Sequence, residues 1–190
     1  MIGPFGGGNQ DWWQYEVAIL VGGGIGVTPY ASILADLVHA QSNPRIFSTA
    51  LCKKVYFLWV CPTHRNFEWF IDVLRRVEQQ DPNRILEVHI FITQFFHKFD
   101  LRTTMLYICE KHFQRIEGRS MFTGLRAVNH FGRPNMDIFL QHVQGQHEKQ
   151  RKIGVFSCGP SPLNKSVRTA CERVNQGRKL PMFVHHYETF

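Results

Sequence analysis

The sequence predicts an α/β fold, a parallel sheet with helices on both faces. Short, nearly continuous apolar runs stop abruptly at glycine or proline, as strands buried on both faces do, and stretches with apolar residues at helical spacing separate them. A third observation is the segment "VGGGIGVTP" at 21–29, where a strand, a glycine loop and a helix follow directly on one another.

The first strand is expected over 15–21, ended by three glycines. From Pro29, Tyr30, Ile33, Leu34, Leu37 and Val38 recur at the spacing of one helical face. A polar, proline-containing loop over 43–51 leads to a second strand at 54–60, "KVYFLWV", and then to a helix from Phe67 to about Gln79. A third strand is expected over 85–94, followed by a helix over 100–116 opened by Asp100. Residues 117–134 carry turn signals and a short extended piece ending in "HFGRP", and a helix over 136–143 follows. "KIGVFSCGP" at 152–160 reads as a buried strand stopped by Gly159 and Pro160, 163–174 as a helix, and "MFVHHYETF" at 182–190 as the last strand. Alternation of this kind closes into a sheet covered on both faces, with ligands in the crevice at the carboxyl ends of the strands. The ends to watch are therefore 22–29, 61–65 and 158–160.

Composition narrows the function. The chain has 190 residues, 44% hydrophobic and 19% charged, enough for one well-packed domain spanning 1–190. Its net charge of +7 favours an anionic partner. The basic residues come only as short pairs, so no nucleic-acid stripe is expected. Five cysteines, without a Cys-x-x-Cys pair, suggest neither a disulfide framework nor a zinc ribbon and point to a reducing compartment. The ten histidines show no ligand spacing, and no metal is expected. No signal peptide and no run of about eighteen apolar residues occurs, so the chain as given is expected to be soluble. The opening "MIGPFGGGNQDWW" reads as a turn with nothing before it, as in a piece of a longer protein.

In the glycine loop, Gly22, Gly23, Gly24, Ile25, Gly26, Val27, Thr28 and Pro29 follow in order, with Pro29 where the dinucleotide fingerprint has its third glycine. Proline suits the first helical position and Thr28 can cap the helix. Glycines let a pyrophosphate reach backbone N–H groups at the positive end of the helix dipole, giving a Rossmann-like nucleotide site. Where the Rossmann pattern asks for an acid after the second strand, this sequence has "WVCPTHRNFEW". Arg65 there can serve the 2′-phosphate of NADPH or stand as a solvated surface arginine, and the residues alone leave both open.

With "GPFG" at 3–6, "VGGGIGVTP" at 21–29, "FEWF" at 67–70, "HFGRPN" at 130–135, "GVFSCGP" at 154–160 and a terminal aromatic, the chain resembles the NADPH-binding domain of the NADPH oxidase family, of the ferredoxin-NADP reductase type. "KFDLRTTMLYICEKHF" at 98–113 and "HHYETF" at 185–190 look most like its dual oxidase branch. The resemblance covers essentially the whole chain. It implies that Gly22 to Pro29 hold the pyrophosphate and that Arg133, with Arg65 as a second candidate, binds the 2′-phosphate. Pro62 stands where many members have arginine. Cys158, Gly159 and Pro160 are implied beside the nicotinamide, and Phe190 as the aromatic that covers the flavin. Glu188 is either a positioning acid or a solvated one.

In such an oxidase NADPH delivers hydride to FAD, and electrons pass singly through membrane haems to oxygen, giving superoxide or hydrogen peroxide. The resemblance thus implies FAD bound mainly by a preceding barrel, with 1–14 as the hinge to it, haem in the full-length protein only, and a place on the cytoplasmic face of a membrane. The expected partners are the FAD-binding and transmembrane haem domains of the same chain, with regulatory domains or maturation partners besides. The isolated domain is expected to be inactive without its flavin partner. Two other readings stay open: a docking surface of the oxidase using 41–53 and 95–130, and the NADPH domain of a soluble flavin reductase with another acceptor.

Overall fold

A computed structural model describes residues 7–42, 51–62, 68–96 and 101–189. Six strands, β1 (Val17–Gly23), β2 (Lys54–Cys61), β3 (Leu86–Ile92), β4 (Val128–Phe131), β5 (Lys152–Gly159) and β6 (Met182–Thr189), form one sheet in the order β4-β3-β2-β1-β5-β6. Every pairing is parallel. Among the described residues five α-helices connect them: α1 (Thr28–Ser42), α2 (Glu68–Gln79), α3 (Leu101–Glu117), α4 (Met136–Gln146) and α5 (Ser161–Gln176). The expected α/β class and the alternation of elements are those found.

Strand periodicity divides the core. Along β1, Ala18 and Leu20 join Phe57, Trp59 and Ile90 under Tyr30 and Leu34 of α1 and Phe70 and Leu74 of α2. Val17, Ile19 and Val21 face the other way, against Leu140 and Val143 of α4 and Val167 and Cys171 of α5. The central strand β1 is buried at all seven positions, which is why its sequence is continuously apolar instead of alternating. Trp12, in the short 3-10 segment Gly7–Gln14, adds its ring to the first of these cores.

Several boundaries differ from expectation for local reasons. β1 extends through Gly22 and Gly23, because both are buried and still paired with β2. β3 stops at Ile92, and Thr93–Phe96 is a 3-10 turn, fixed by the Thr93 hydroxyl donating to the Cys61 carbonyl at 3.3 Å and Gln94 N–H donating to Pro62 at 3.2 Å. α4 begins at Met136 as expected, after Asn135, whose side chain accepts from Ile138 N–H at 3.2 Å as an N-cap, but it runs on past Val143 to Gln146. The expected loop at 43–51 lies almost wholly outside the described residues, as do Phe67 and Asp100.

Two half-buried histidines make the fold sensitive to acid. Burial, and then the neighbouring His89 and Lys111, push His130 down to about 4. Burial, His186 and Arg168 do the same to His185, also to about 4. Both are neutral in the native state near pH 7, while the unfolded chain titrates them near 6.5. Between those values the unfolded state binds more protons, so stability present above pH 6.5 is lost as the pH falls toward 4. Glu87, which a hydrogen bond from His89 and then Lys54 hold at about 2 against the opposing effect of burial, extends the loss from about 4.5 down to 2. Urea midpoints should be flat above pH 7 and decline at each step from 6.5 to 4; a midpoint that rises on acidification would contradict this.

Candidate nucleotide-binding site

The strand order reverses beside β1. From β1 the chain moves outward through β2, β3 and β4, whereas β5 and β6 lie on the other side, so the crevice between the carboxyl ends of β1 and β5 is the topological switch point. Gly22 pairs with Cys158 there, and Cys158 pairs in turn with Glu188 of β6.

The glycines of the loop do different things. A Cβ on Gly22 would lie 2.7 Å from Val27 Cγ1, and one on Gly23 would lie 2.5 Å from Leu163 Cδ2 and 3.0 Å from Pro160 Cδ. Gly159 is equally confined, 3.0 Å from Leu163 Cδ2 and 3.2 Å from Gly23 Cα. Gly23 and Gly159 let β1, β5 and α5 close on each other, and Gly22 lets Val27 and Tyr30 close on β1. Gly24 is the residue that turns the chain: its φ is +57°, and a Cβ there would meet nothing within 4 Å. Beyond it Gly24–Val27 is a 3-10 turn that runs straight into α1.

Thr28 is not the cap expected from its sequence position. Its φ and ψ of −54° and −46° are already helical, and its hydroxyl donates to the Ile25 carbonyl at 2.7 Å instead of accepting from a helix N–H. The preceding 3-10 turn makes the helix continuous and removes the need for a cap. Val27 is fully buried, Ile25 is exposed at the loop tip, and Pro29 is half-buried in the first turn.

Tyr30 braces the crevice from below, its hydroxyl donating to the carbonyls of Phe156 at 3.0 Å and Val21 at 3.3 Å, one on β5 and one on β1. Burial raises its phenol well above the ordinary range, so it keeps its proton. Burial and then Glu188 raise the Cys158 thiol likewise. Cys158 is thus a small, neutral side chain at this end of β5, 4% exposed. Pro160 follows in extended backbone and is exposed at the start of α5.

The sequence did not single out Asn164. This buried side chain of α5 places its Nδ2 at 3.0 Å from the Gly159 carbonyl, 2.8 Å from that of Glu188 and 3.1 Å from Thr189 Oγ1. Its Oδ1 accepts from Ser157 Oγ at 2.8 Å, and Ser157 lies 2.8 Å from His185 Nε2. Since the hydroxyl proton of Ser157 is given to Asn164, His185 carries its proton on Nε2 and donates. The network holds the ends of β5 and β6 to the first turn of α5. A polar residue in the first turn of a helix that follows "CGP" was the available signal, but partners 5 to 25 residues away were not visible.

Arg133 stands apart. It is exposed just beyond β4, an edge strand, after Gly132 at φ 111°, whose N–H extends the ladder to Ile92 at 2.9 Å. Three strand spacings of about 4.8 Å, roughly 14 Å, separate that edge from β1. The structure therefore brings 22–29 and 158–160 together and leaves Arg133 at the far side of the same carboxyl edge. Arg65 and Phe190 lie outside the described residues.

A cavity of about 580 Å³ occurs at the opposite, amino-terminal end of β2, β3 and β4. Most of its charges are already engaged, Arg119 and Arg126 with Glu78, Lys54 with Glu87, and Asp81 with the N–H groups of Ile85 and Leu86, while the exposed Arg84 and Glu117 also line it. Volume is a poorer guide here than the switch point, where the glycine loop and the 3-10 turn leading into α1 meet the end of β5. Among the described residues no group of three ligating side chains could hold a metal, and no helix is long and apolar enough to cross a membrane.

Comparison with known proteins agrees with this geometry. Residues 15–172 match the family model for the ferric reductase NAD binding domain. The chain is 69% identical over 188 residues to a dual oxidase of Drosophila melanogaster, covering 99% of this chain and 12% of the relative. It is 62% identical over 191 residues to dual oxidase 1 of Caenorhabditis elegans, covering 100% of this chain and 13% of the relative. With dual oxidase 2 of Homo sapiens it shares 55% over 188 residues, again 99% of this chain and 12% of the relative. It thus spans about one eighth of the length of these proteins. With an all-parallel sheet, a glycine loop at its switch point and a family match over most of its length, the chain belongs to the ferric reductase NAD-binding domain family, and along nearly its whole length it is similar to a segment of the dual oxidases.

Proposed function

We propose that this chain is the NADPH-binding unit of a flavin- and haem-containing NADPH oxidase, and that its crevice between β1 and β5 takes the dinucleotide. The observation that carries the reading is the left-handed Gly24 at the head of the 3-10 turn that leads into α1, with open space where any other residue would carry a Cβ. It fits a pyrophosphate: backbone N–H groups and the positive end of a helix dipole face a place that no side chain fills. Gly22 to Pro29 would hold that group, and Cys158, Gly159 and Pro160 would line the nicotinamide end, where small residues leave room. Arg133, with Arg65, would take the 2′-phosphate.

When bound, NADPH supplies a hydride that FAD, held mainly by another domain, accepts. The residues of this chain bind and orient. Tyr30 and Cys158 keep their protons, in agreement with a hydride transfer that asks for neither a general base nor a nucleophile. In the whole protein the electrons would pass through haem to oxygen, with this domain, hinged at 1–14, on the cytoplasmic face of the membrane and the FAD and haem domains of the same polypeptide as its partners.

Calorimetric titration of the purified chain with NADPH and NADH, at low and moderate salt, tests the reading. NADPH should bind more tightly than NADH, and Arg133→Ala should weaken NADPH roughly tenfold while leaving NADH unchanged, as expected for loss of one charge-assisted contact. Equal affinity for both nucleotides would remove the 2′-phosphate site, and binding of neither would remove the nucleotide reading for the isolated chain.

A further inference from the structure

Helix α3 is packed the wrong way round for a helix on a soluble domain. Apart from Tyr107, whose ring meets Phe131 of β4 at 5.1 Å, its sheet side is polar: Glu110, fully buried, accepts from Asn129 Nδ2 at 2.7 Å and from Met121 N–H at 2.8 Å, while Lys111 and Gln114 donate to the carbonyls of Asn129 and Ala127. The opposite side carries Met105, Ile108, Cys109, His112, Phe113 and Ile116 at spacings of three and four, all exposed. Met105, Ile108 and Ile116 are 59%, 58% and 65% exposed. An ordinary surface helix turns its apolar stripe inward, and a monomer rarely leaves such a stripe to water.

We propose that this stripe is a docking face for another domain of the same oxidase polypeptide. The proposal rests on the chain being one unit of a longer oxidase, and the relatives it matches are about eight times its length. Covalent linkage gives such a domain an effective concentration that a free partner lacks. The flanks define its chemistry: Arg115 borders the stripe on one side and Glu117 on the other, both exposed, so the complement is an apolar groove with an acidic wall facing Arg115. A lipid surface fits less well. Interfacial helices keep a basic polar face turned to water, whereas the polar side of α3 is committed to the sheet.

Cys109 lies inside the stripe and supplies a probe, for it is exposed while Cys52, Cys61, Cys158 and Cys171 are buried. The test uses the full-length oxidase in detergent, with maleimide modification of Cys109 followed by mass spectrometry of its peptide. Modification should be at least tenfold slower in the wild type than in Met105→Glu/Ile116→Glu, with NADPH affinity unchanged between them. With p-benzoylphenylalanine in place of His112, irradiation should capture a peptide of the same polypeptide from outside these 190 residues. Equal modification rates would overturn the proposal, as would protection that requires anionic vesicles or a photoproduct that is a dimer through this same stripe. Protected Cys109 in an oxidase that fails to bind NADPH would sink the nucleotide reading and leave the docking face standing.

Discussion

Replacing Gly23 with valine is expected to destabilise the chain by about 1–3 kcal/mol, the range of an overpacked core, and to abolish NADPH binding. A first Cβ would lie 2.5 Å from Leu163 Cδ2 and 3.0 Å from Pro160 Cδ, and the two further methyls of valine have only the Gly159 backbone beside them. Leu163 can turn aside from one carbon; the proline ring and the neighbouring strand cannot. β1, β5 and the start of α5 would then separate where the crevice forms. Gly24→Ala makes the informative contrast. It meets no atom within 4 Å and suffers only its left-handed φ of +57°, a backbone cost of about 1–2 kcal/mol. Urea unfolding and nucleotide titration of both variants should show a lowered stability together with lost binding at Gly23, and a largely kept fold with weakened binding at Gly24. Wild-type stability in Gly23→Val would mean that β1 and α5 do not meet as described.

That contrast also marks where sequence reading stops. The order of strands and helices was legible because apolar runs and helical periodicity are local, and both were interrupted by glycine and proline at the right places. The three consecutive glycines are indistinguishable in the sequence, yet two are strand residues confined by Val27 and Leu163 and only Gly24 turns the chain. Their roles depend on partners as distant as α5. Thr28 failed as a cap for a similar reason, since a 3-10 turn before it cannot be read from composition. In α3 a helix could be read, but which side would be buried was decided by Asn129 and the Met121 N–H, which reach Glu110 only after β4 has joined the sheet. Nothing local announces a helix that faces inward with its carboxylate.

Asn164→Leu should have the second large effect, and it separates holding the fold from holding the site. Leucine keeps much of the volume but leaves the Gly159 and Glu188 carbonyls without their donor and Ser157 without its acceptor, in a place closed to water. Each buried polar group left unpaired costs about 1–3 kcal/mol, and because they share one network the costs do not simply add; roughly 2–4 kcal/mol is expected from urea unfolding. Ser157→Ala removes one hydroxyl and leaves all three Nδ2 contacts of Asn164 in place, so its loss should be smaller. The damage is directional. Residues 188 and 189, just before the terminal aromatic, hang on Asn164, whereas the turn at Gly24 is fixed by β1 and α1. In the full-length oxidase, NADPH turnover by Asn164→Leu should therefore fall in kcat with little change in KM for NADPH. A variant that raises KM and spares kcat would show instead that Asn164 serves the nucleotide's binding end, and the latch between β5, β6 and α5 would have to be given up as a positioning device.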